Sequence, residues 1–207
     1  MPPRVKFQKE DIVGAALGVA RKQGIDAVTA REVAKALGTS VGPIFTWFDT
    51  MEQLKAEVYA GAKGIYRGYV ERGLTEPIPF LGVWRHYLRF AREEPALYRL
   101  LFLTRPDGVN GGATEALRFS QGMARDSIMR VYRMDAATAD RYFRDIWLVA
   151  FSFATLIVTD DCPYTDEEML AVGTEISLSI CKAYKEIPGL AAGQYDRDAL
   201  FAEIIGR

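Results

Sequence analysis

TAREVAKALGTSVGPIFTWFDTMEQL, residues 29–54, decides how the chain folds. Thr29 followed three places later by Glu32 forms a capping box: the hydroxyl takes the Glu32 amide and the carboxylate reaches back. Val33, Ala34 and Leu37 then share one helical face, and Gly38 supplies a stop. Thr39-Ser40 offers a new start with Ser40 as N-cap. A short helix from Val41 to Phe48 follows, with Pro43 in its first turn, where a missing amide costs little. Thr50-Met51-Glu52-Gln53 repeats the capping pattern and opens a helix expected to run to about Arg72 and to stop at Gly73. Two short helices joined by Gly38-Thr39-Ser40, with helices on either side, have helix-turn-helix grammar. The tight turn sets the second helix across the first, ready for a DNA major groove. A plain helical bundle can carry the same link, so grammar alone leaves both readings open.

Outward from that stretch the pattern stays helical. Ile12, Ala16, Val19 and Ala20 mark one face of a helix over Gln8 to Gln23, closed by Gly24 after the basic pair Arg21-Lys22. Downstream, helices are expected near 79–94, 96–104, 111–133, 138–160 and 166–186. The helix from 138 is apolar nearly all round between Ile146 and Val158, so it must be covered on several sides. The last opens on a third capping box, Thr165 to Glu168, and carries Met169, Val172, Ile176, Ile180 and Ala183 at helical spacing. No strand alternation, internal repeat or low-complexity tract interrupts this, and the fold class is all-α.

Composition narrows the function. The 207 residues are 49% hydrophobic and 12% aromatic with a formal net charge of -1, which excludes a disordered chain. Two cysteines exclude a disulfide scaffold. The longest apolar stretch, Ile146 to Thr159, falls short of the roughly 20 residues a membrane span requires. No apolar signal segment opens the sequence, and the expectation is a cytoplasmic protein with no membrane partner. One histidine, His86, and the distant Cys162 and Cys181 leave no Cys-x-x-Cys, no His-Glu-x-x-His and no Gly-x-Ser-x-Gly. The expectation is therefore no enzyme, no metal site and no cofactor. Residues 1–73 hold 11 Lys+Arg against 8 Asp+Glu, and residues 74–207 hold 15 against 19. The balance shifts from +3 to -4, which suits a polyanion partner for the first part and equally suits ordinary solvated surfaces.

Residues 29–54 resemble the DNA-binding segment of the TetR/AcrR family of bacterial transcriptional regulators. In that family a Thr-capped helix leads to an Ala-Gly-Val-Ser-type turn, then a recognition helix of the form Gly-x-Leu-Tyr-x-His-Phe and a Ser-Lys-Glu-x-Leu start. The matching residues here are Leu37-Gly38-Thr39-Ser40, Gly42-Pro43-Ile44-Phe45-Thr46-Trp47-Phe48 and Thr50-Met51-Glu52-Gln53-Leu54. The stretch from Tyr87 to Phe102 resembles one regulatory-domain subgroup of the same family.

The resemblance implies a helix-turn-helix domain over 1–52 and a helical ligand-binding and dimerisation domain over 53–207. It implies a ligand-responsive regulator, a repressor, acting as a homodimer on a double-stranded operator. The two long C-terminal helices would pair with their copies as a four-helix bundle. The DNA-contacting set would be Thr29, Arg31, Thr39, Ser40, Val41, Gly42, Pro43, Phe45, Thr46, Trp47, Thr50 and Lys55. Arg4, Lys6 and Lys9 would form a basic arm or first turn near the backbone. The effector would lie among Trp84, Tyr87, Tyr98, Phe102, Phe119, Met123, Trp147 and Phe151, although aromatic residues at helical spacing are also the ordinary stuff of a core.

Three departures bear on DNA binding. Phe45 lacks the hydroxyl of the usual Tyr, Trp47 replaces His and keeps one donor, and Met51 replaces Lys and loses a charge. The recognition helix contains no Arg, Lys, Asn or Gln, so bidentate reading of guanine or adenine from it is excluded. Specificity would lean on methyl contacts, DNA shape or the basic arm. The alternative reading is an all-helical small-molecule-binding protein of the same fold with weak or non-specific DNA binding. Lys55, one turn into its helix, is within reach of a phosphate. Lys55→Ala should weaken binding to every duplex and reduce the slope of log K against log salt by about 1, which a salt titration of the binding constant measures.

Overall fold

The computed structural model describes residues 7–104 and 111–206. Every regular element among them is helical: α1 (Lys9–Gln23), α2 (Ala30–Leu37), α3 (Gly42–Trp47), α4 (Met51–Leu74), α5 (Pro79–Glu93), α6 (Pro95–Tyr98), α7 (Ala113–Tyr132), α8 (Ala136–Val158), α9 (Asp166–Glu186) and α10 (Arg197–Ile204). A 3₁₀ turn at Ile25–Ala27 links α1 to α2, and a π-turn at Arg99–Leu103 continues α6. No described helix is long and apolar enough to cross a membrane.

Capping follows the sequence in part. Thr29, Thr50 and Thr165 each accept the amide three residues on, from Glu32, Gln53 and Glu168. The full reciprocal box forms at Thr165–Glu168. Gln53 instead turns its side-chain oxygen to the Asp49 amide at 2.8 Å. Ser40 does not cap α3: Val41 occupies the N-cap position with no side-chain bond. Counted from Ser40, Pro43 stands at N3 and removes the amide that the capping hydroxyl would have served there.

Gly73 does not end α4, which runs to Leu74. Its role is close approach. A Cβ on Gly73 would come within 2.6 Å of the backbone of Gly82 and Val83, and a Cβ on Gly82 would strike the Gly73 carbonyl. The two glycines let α4 and α5 cross backbone to backbone. Gly173 on α9 serves in the same way, because a Cβ there would lie 2.6 Å from the Trp84 indole, which lies flat against bare backbone.

The segment expected as one helix over 96–104 divides into α6 and the π-turn, and Thr104 closes it through its amide to the Arg99 carbonyl at 2.8 Å. α10, capped by Asp196 on the amides of Asp198 and Ala199, has no counterpart in the sequence pattern. It buries none of its residues, so no apolar periodicity marks it.

Around α5 the helices α4, α8 and α9 close a core. Tyr66 sits at its centre, with ring centroids 5.2 Å from Phe90 and from Phe102. Tyr98 stacks on Phe102 at 4.6 Å. Polar groups inside are mostly satisfied. The Tyr66 and Ser120 hydroxyls lie 2.7 Å apart, Ser120 donates to the Ala116 carbonyl, and Tyr142 meets Ser177 at 2.6 Å across α8 and α9.

The small unit made by α1, α2 and α3 is joined to this core by continuous α4 and by an ion pair whose carboxylate is buried and whose guanidinium is exposed. Glu94, at the corner between α5 and α6, is buried. It accepts from the Arg21 guanidinium of α1 at both carboxylate oxygens, one contact being 2.8 Å. The hydrogen bond and charge of Glu94 raise the Arg21 pKa further above its ordinary value.

Two outcomes test this packing. Gly73→Ala should destabilise the protein by about 1–3 kcal/mol through backbone overlap. Gly64→Ala, in open space on the same helix, should stabilise it by roughly 0.5–1 kcal/mol. Urea unfolding compares the two. Arg21→Ala strands a buried carboxylate and should cost about 1–3 kcal/mol. Adding Glu94→Gln in that background should recover part of the loss, since the stranded charge is then removed.

Candidate nucleic-acid interface

α3 is held by two residues and displays the rest. Ile44 and Phe48 point into the core between α1, α2 and the start of α4. Four positions apart in sequence, they define the inner face. The opposite face presents Val41, Phe45 and Trp47 at 44%, 48% and 40% exposure, with Gly42 and Thr46 also exposed and Pro43 half-buried. Large apolar side chains on one short helix are an unusual surface unless something covers them.

The turn before α3 is built by Gly38, whose left-handed backbone (φ 65°) lets its amide reach the Ala34 and Lys35 carbonyls. Thr39 is half-buried and Ser40 exposed. Thr29 and Thr50 are exposed at the starts of α2 and α4. Both hydroxyl oxygens already accept a helix amide; the Thr29 hydroxyl proton is left for an outside acceptor, whereas the Thr50 hydroxyl also serves the Glu52 carboxylate. Arg31 is exposed on the first turn of α2, and Lys55 is half-buried on the second turn of α4. The structure thus sets Thr29, Arg31, Thr50 and Lys55 at or near helix N-termini, where backbone amides and dipole favour an anion. Glu52 stands among them; its own backbone amide, then the Thr50 hydroxyl, hold its carboxyl below the usual range.

The donors on α3 are engaged internally. Thr46 donates to the Gly42 carbonyl at 3.3 Å, and the Trp47 indole N–H donates to the Phe7 carbonyl at 3.0 Å. The second bond was not visible in the sequence, because Phe7 and Trp47 are 40 residues apart. Lys9 forms an ion pair with Glu57 and stands over the Phe48 ring at 5.6 Å, so it braces α1 against α4. Arg4 and Lys6 lie outside the described residues.

The residues expected around an effector do gather in the larger helical part, but they fill it. Tyr87 meets Tyr98 at 5.9 Å, Phe102 at 5.4 Å and Trp147 at 6.1 Å, and Trp147 stacks on Phe151 at 5.1 Å. Phe119 packs beside Tyr66 and under the Lys63 ammonium, and Met123 is half-buried against the same core. The cleft among Trp84, Tyr87 and Trp147 holds about 20 Å³, far below the several hundred Å³ of a ligand site. Burial pushes the Tyr66 and Tyr87 hydroxyls well up and the Tyr98 hydroxyl up to about 12, so all three stay neutral near pH 7. Trp84 and Trp147 have buried indole N–H groups without a hydrogen-bond partner, the latter near the Tyr66 hydroxyl but without bonding geometry. Tyr66 belongs to this group and was missed in the sequence, where its place in a long amphipathic helix read as ordinary.

A roomier groove of about 440 Å³ runs between α5 and the start of α9, floored by Trp84, Leu88 and Leu170. The basic ridge along its edge is ion-paired: Arg85 with Glu76, Arg89 with Glu93 at 3.0 Å and Arg92 with Asp166. His86 donates through Nε2 to the Glu76 carboxylate, 3.1 Å away, and its buried Nδ1 has no partner. Among the described residues no group of three or more His, Cys, Asp or Glu side chains is placed to hold a metal ion.

Comparison with known families matches residues 12–58 to the bacterial regulatory proteins of the tetR family. No curated protein matches the chain. The matched span runs from the first buried residue of α1 to the second turn of α4, taking in most of α1 and all of α2 and α3. Over its first helices the chain is similar to the bacterial regulatory proteins of the tetR family, a similarity that supports a DNA-binding transcription regulator.

Proposed function

We propose that this regulator is a cytoplasmic, ligand-responsive repressor that acts as a homodimer on a pseudo-palindromic operator. Residues 1–52 serve as the DNA-binding domain and residues 53–207 as the ligand-binding and dimerisation domain, with α4 running between them. The observation that carries the reading is the outer face of α3: Val41, Phe45 and Trp47 are exposed on a helix whose inner face is fully occupied. Val41, Pro43 and the two rings suit thymine methyls and groove walls. Thr29, Arg31, Thr39, Ser40, Thr50 and Lys55 surround that face with hydroxyls, amides and charge for phosphates.

The homodimer is supported by α8 and α9. Leu148 is 49% exposed and Leu178 66% exposed, although α8 is apolar along most of its length. A two-fold partner would cover both helices at once. The effector reading rests on the aromatic group of Trp84, Tyr87, Tyr98, Phe102, Phe119, Met123, Trp147 and Phe151. These residues bring no formal charge, and Trp84 and Trp147 hold unused indole donors. A ligand among them must separate rings that now touch. It would thereby favour a second state by its differential affinity, which is the physical requirement for a ligand-driven switch.

Selection of duplexes from a random pool by the full chain tests the DNA reading. The expected product is a two-fold-symmetric sequence with half-sites about one helical turn, roughly 34–36 Å, apart. Leu148→Glu with Leu178→Glu should give a monomer by sedimentation and lose that selection. Salt-sensitive retention of all duplexes alike would favour the alternative of a small-molecule-binding protein with non-specific DNA affinity.

A further inference from the structure

The direction of each hydrogen bond in the aromatic core can be worked out from its neighbours. Ser120 gives its one proton to the Ala116 carbonyl at 2.7 Å, so Tyr66, whose hydroxyl lies 2.7 Å from Ser120, is the donor of that pair. Tyr98 turns its proton to the Phe151 carbonyl at 3.5 Å and takes that of Tyr87 at 3.1 Å. Tyr66 and Tyr87 are the hydroxyl-bearing residues of the cleft between α5 and α8. Neither has a proton to offer a ligand.

The donors left over in that cleft are indoles. Trp84 and Trp147 line it at 3% and 5% exposure, and both N–H groups are without a partner. Among the described residues no acid or base lines it. A charged ligand would therefore meet no counter-ion, and burying it unpaired would be strongly unfavourable. A ligand with donors alone would leave both indole N–H groups stranded. An uncharged compound with an acceptor oxygen satisfies what the present packing leaves unmet.

The two indoles differ in freedom. Trp84 lies against bare backbone at Gly173. Trp147 is surrounded by rings, with Tyr87 at 6.1 Å, Phe102 at 6.2 Å and Phe151 at 5.1 Å, and a flat compound can part rings. We propose that the effector is an uncharged, flat, apolar compound with a carbonyl oxygen, seated beside Trp147 in this cleft so that the oxygen accepts from the Trp147 indole N–H. A second oxygen on the same compound meets Trp84. Ring ketones, esters and lactones belong to this class, and amines and carboxylic acids do not. The inference rests on the effector reading above and gives it a chemical class.

Titration calorimetry of the full chain with compounds on one ring frame tests it: tetralin, α-tetralone, α-aminotetralin as its ammonium, and tetralin carboxylate. α-Tetralone should bind about tenfold more tightly than tetralin, the scale of one net hydrogen bond, and both charged compounds should bind more weakly than either. Trp147→Phe keeps a ring and removes the N–H. It should bring the ratio of ketone to hydrocarbon affinity close to unity, with a thermal midpoint that shows a folded chain. Reading the ratio cancels any change in how the shared ring frame fits. Trp147 lines the cleft and not the groove between α5 and α9, so this loss also locates the compound. On wild type alone, the infrared carbonyl band of bound α-tetralone should lie below its position in a hydrocarbon solvent. Equal affinity for ketone and hydrocarbon, tightest binding of a charged compound, an unshifted carbonyl band, or a ratio that survives Trp147→Phe overturns this proposal alone. If none of the compounds binds, the effector site among these residues falls and the proposal falls with it.

Discussion

A buried carboxylate has to be answered by a cation, and in this protein the answer comes from another part of the chain. Glu94 is set into the corner between α5 and α6, and Arg21 reaches it from the last turn of α1. Desolvating the carboxylate alone would be unfavourable by several kcal/mol. Arg21 of α1 therefore stabilises the corner in this conformation. Its neighbour Glu93 accepts from the Tyr69 hydroxyl of α4 at 2.6 Å, and that bond, more than any nearby charge, holds the Glu93 carboxyl below its ordinary range. Two adjacent acids thus bind α1 and α4, the helix that begins the small unit and the helix that leaves it. Four residues beyond Glu94, Tyr98 enters the aromatic core and stacks on Phe102. The ion pair and the ring stack sit on one short turn, so a displacement of one strains the other. That coupling is local chemistry and requires no pathway of intermediates.

The spacing of the larger helices depends on the absence of side chains as much as on their presence. Gly73 and Gly82 bring α4 and α5 into backbone contact, and Gly173 lets the Trp84 indole lie against α9. With those approaches fixed, the aromatic side chains between α4, α5, α7 and α8 have little room, and they close on a cleft too small for a ligand. The core is consequently in a packed state. Among the described residues the Trp84 and Trp147 indole donors, with His86 Nδ1, leave hydrogen-bonding capacity unused.

Much of this was legible in the sequence because it is local. The Thr caps, the left-handed Gly38 and the face of Ile12, Ala16, Val19 and Ala20 depend on neighbours within a turn, and they fold as read. The exposed face of α3 followed from the four-residue spacing of Ile44 and Phe48. The cap expected at Ser40 failed because Pro43 removes the amide that would have used it. Gly73 was read as a stop since a helical glycine near a basic residue has that local meaning, whereas its partner, Gly82, lies on the next helix. The Arg21–Glu94 and Trp47–Phe7 bonds join residues 73 and 40 places apart, and no periodicity reports such pairs. α10 escaped notice for the opposite reason: it packs on nothing that would impress a pattern on it.

The exposed apolar residues suggest how the parts work together. Val41, Phe45 and Trp47 lie together on α3 and its N-cap, and Leu148 and Leu178 stand on the two long C-terminal helices, while others such as Ile78, Val131 and Ile204 lie elsewhere. A second copy on α8 and α9 would be related to the first by a two-fold axis, since a closed pair uses the same patch on both members. The same axis would repeat α3. Spacing between the two copies of α3 is then set by how rigidly each small unit is held to its own body, and α4 with the Arg21–Glu94 pair supplies that hold. A duplex groove recurs at a fixed interval, so in such a dimer a small change in tilt at the corner of Glu94 would alter whether both helices could seat together. The side chains on α3 carry little base-specific hydrogen bonding, and seating of the proposed dimer would therefore depend more on this spacing than for a helix rich in arginine and asparagine.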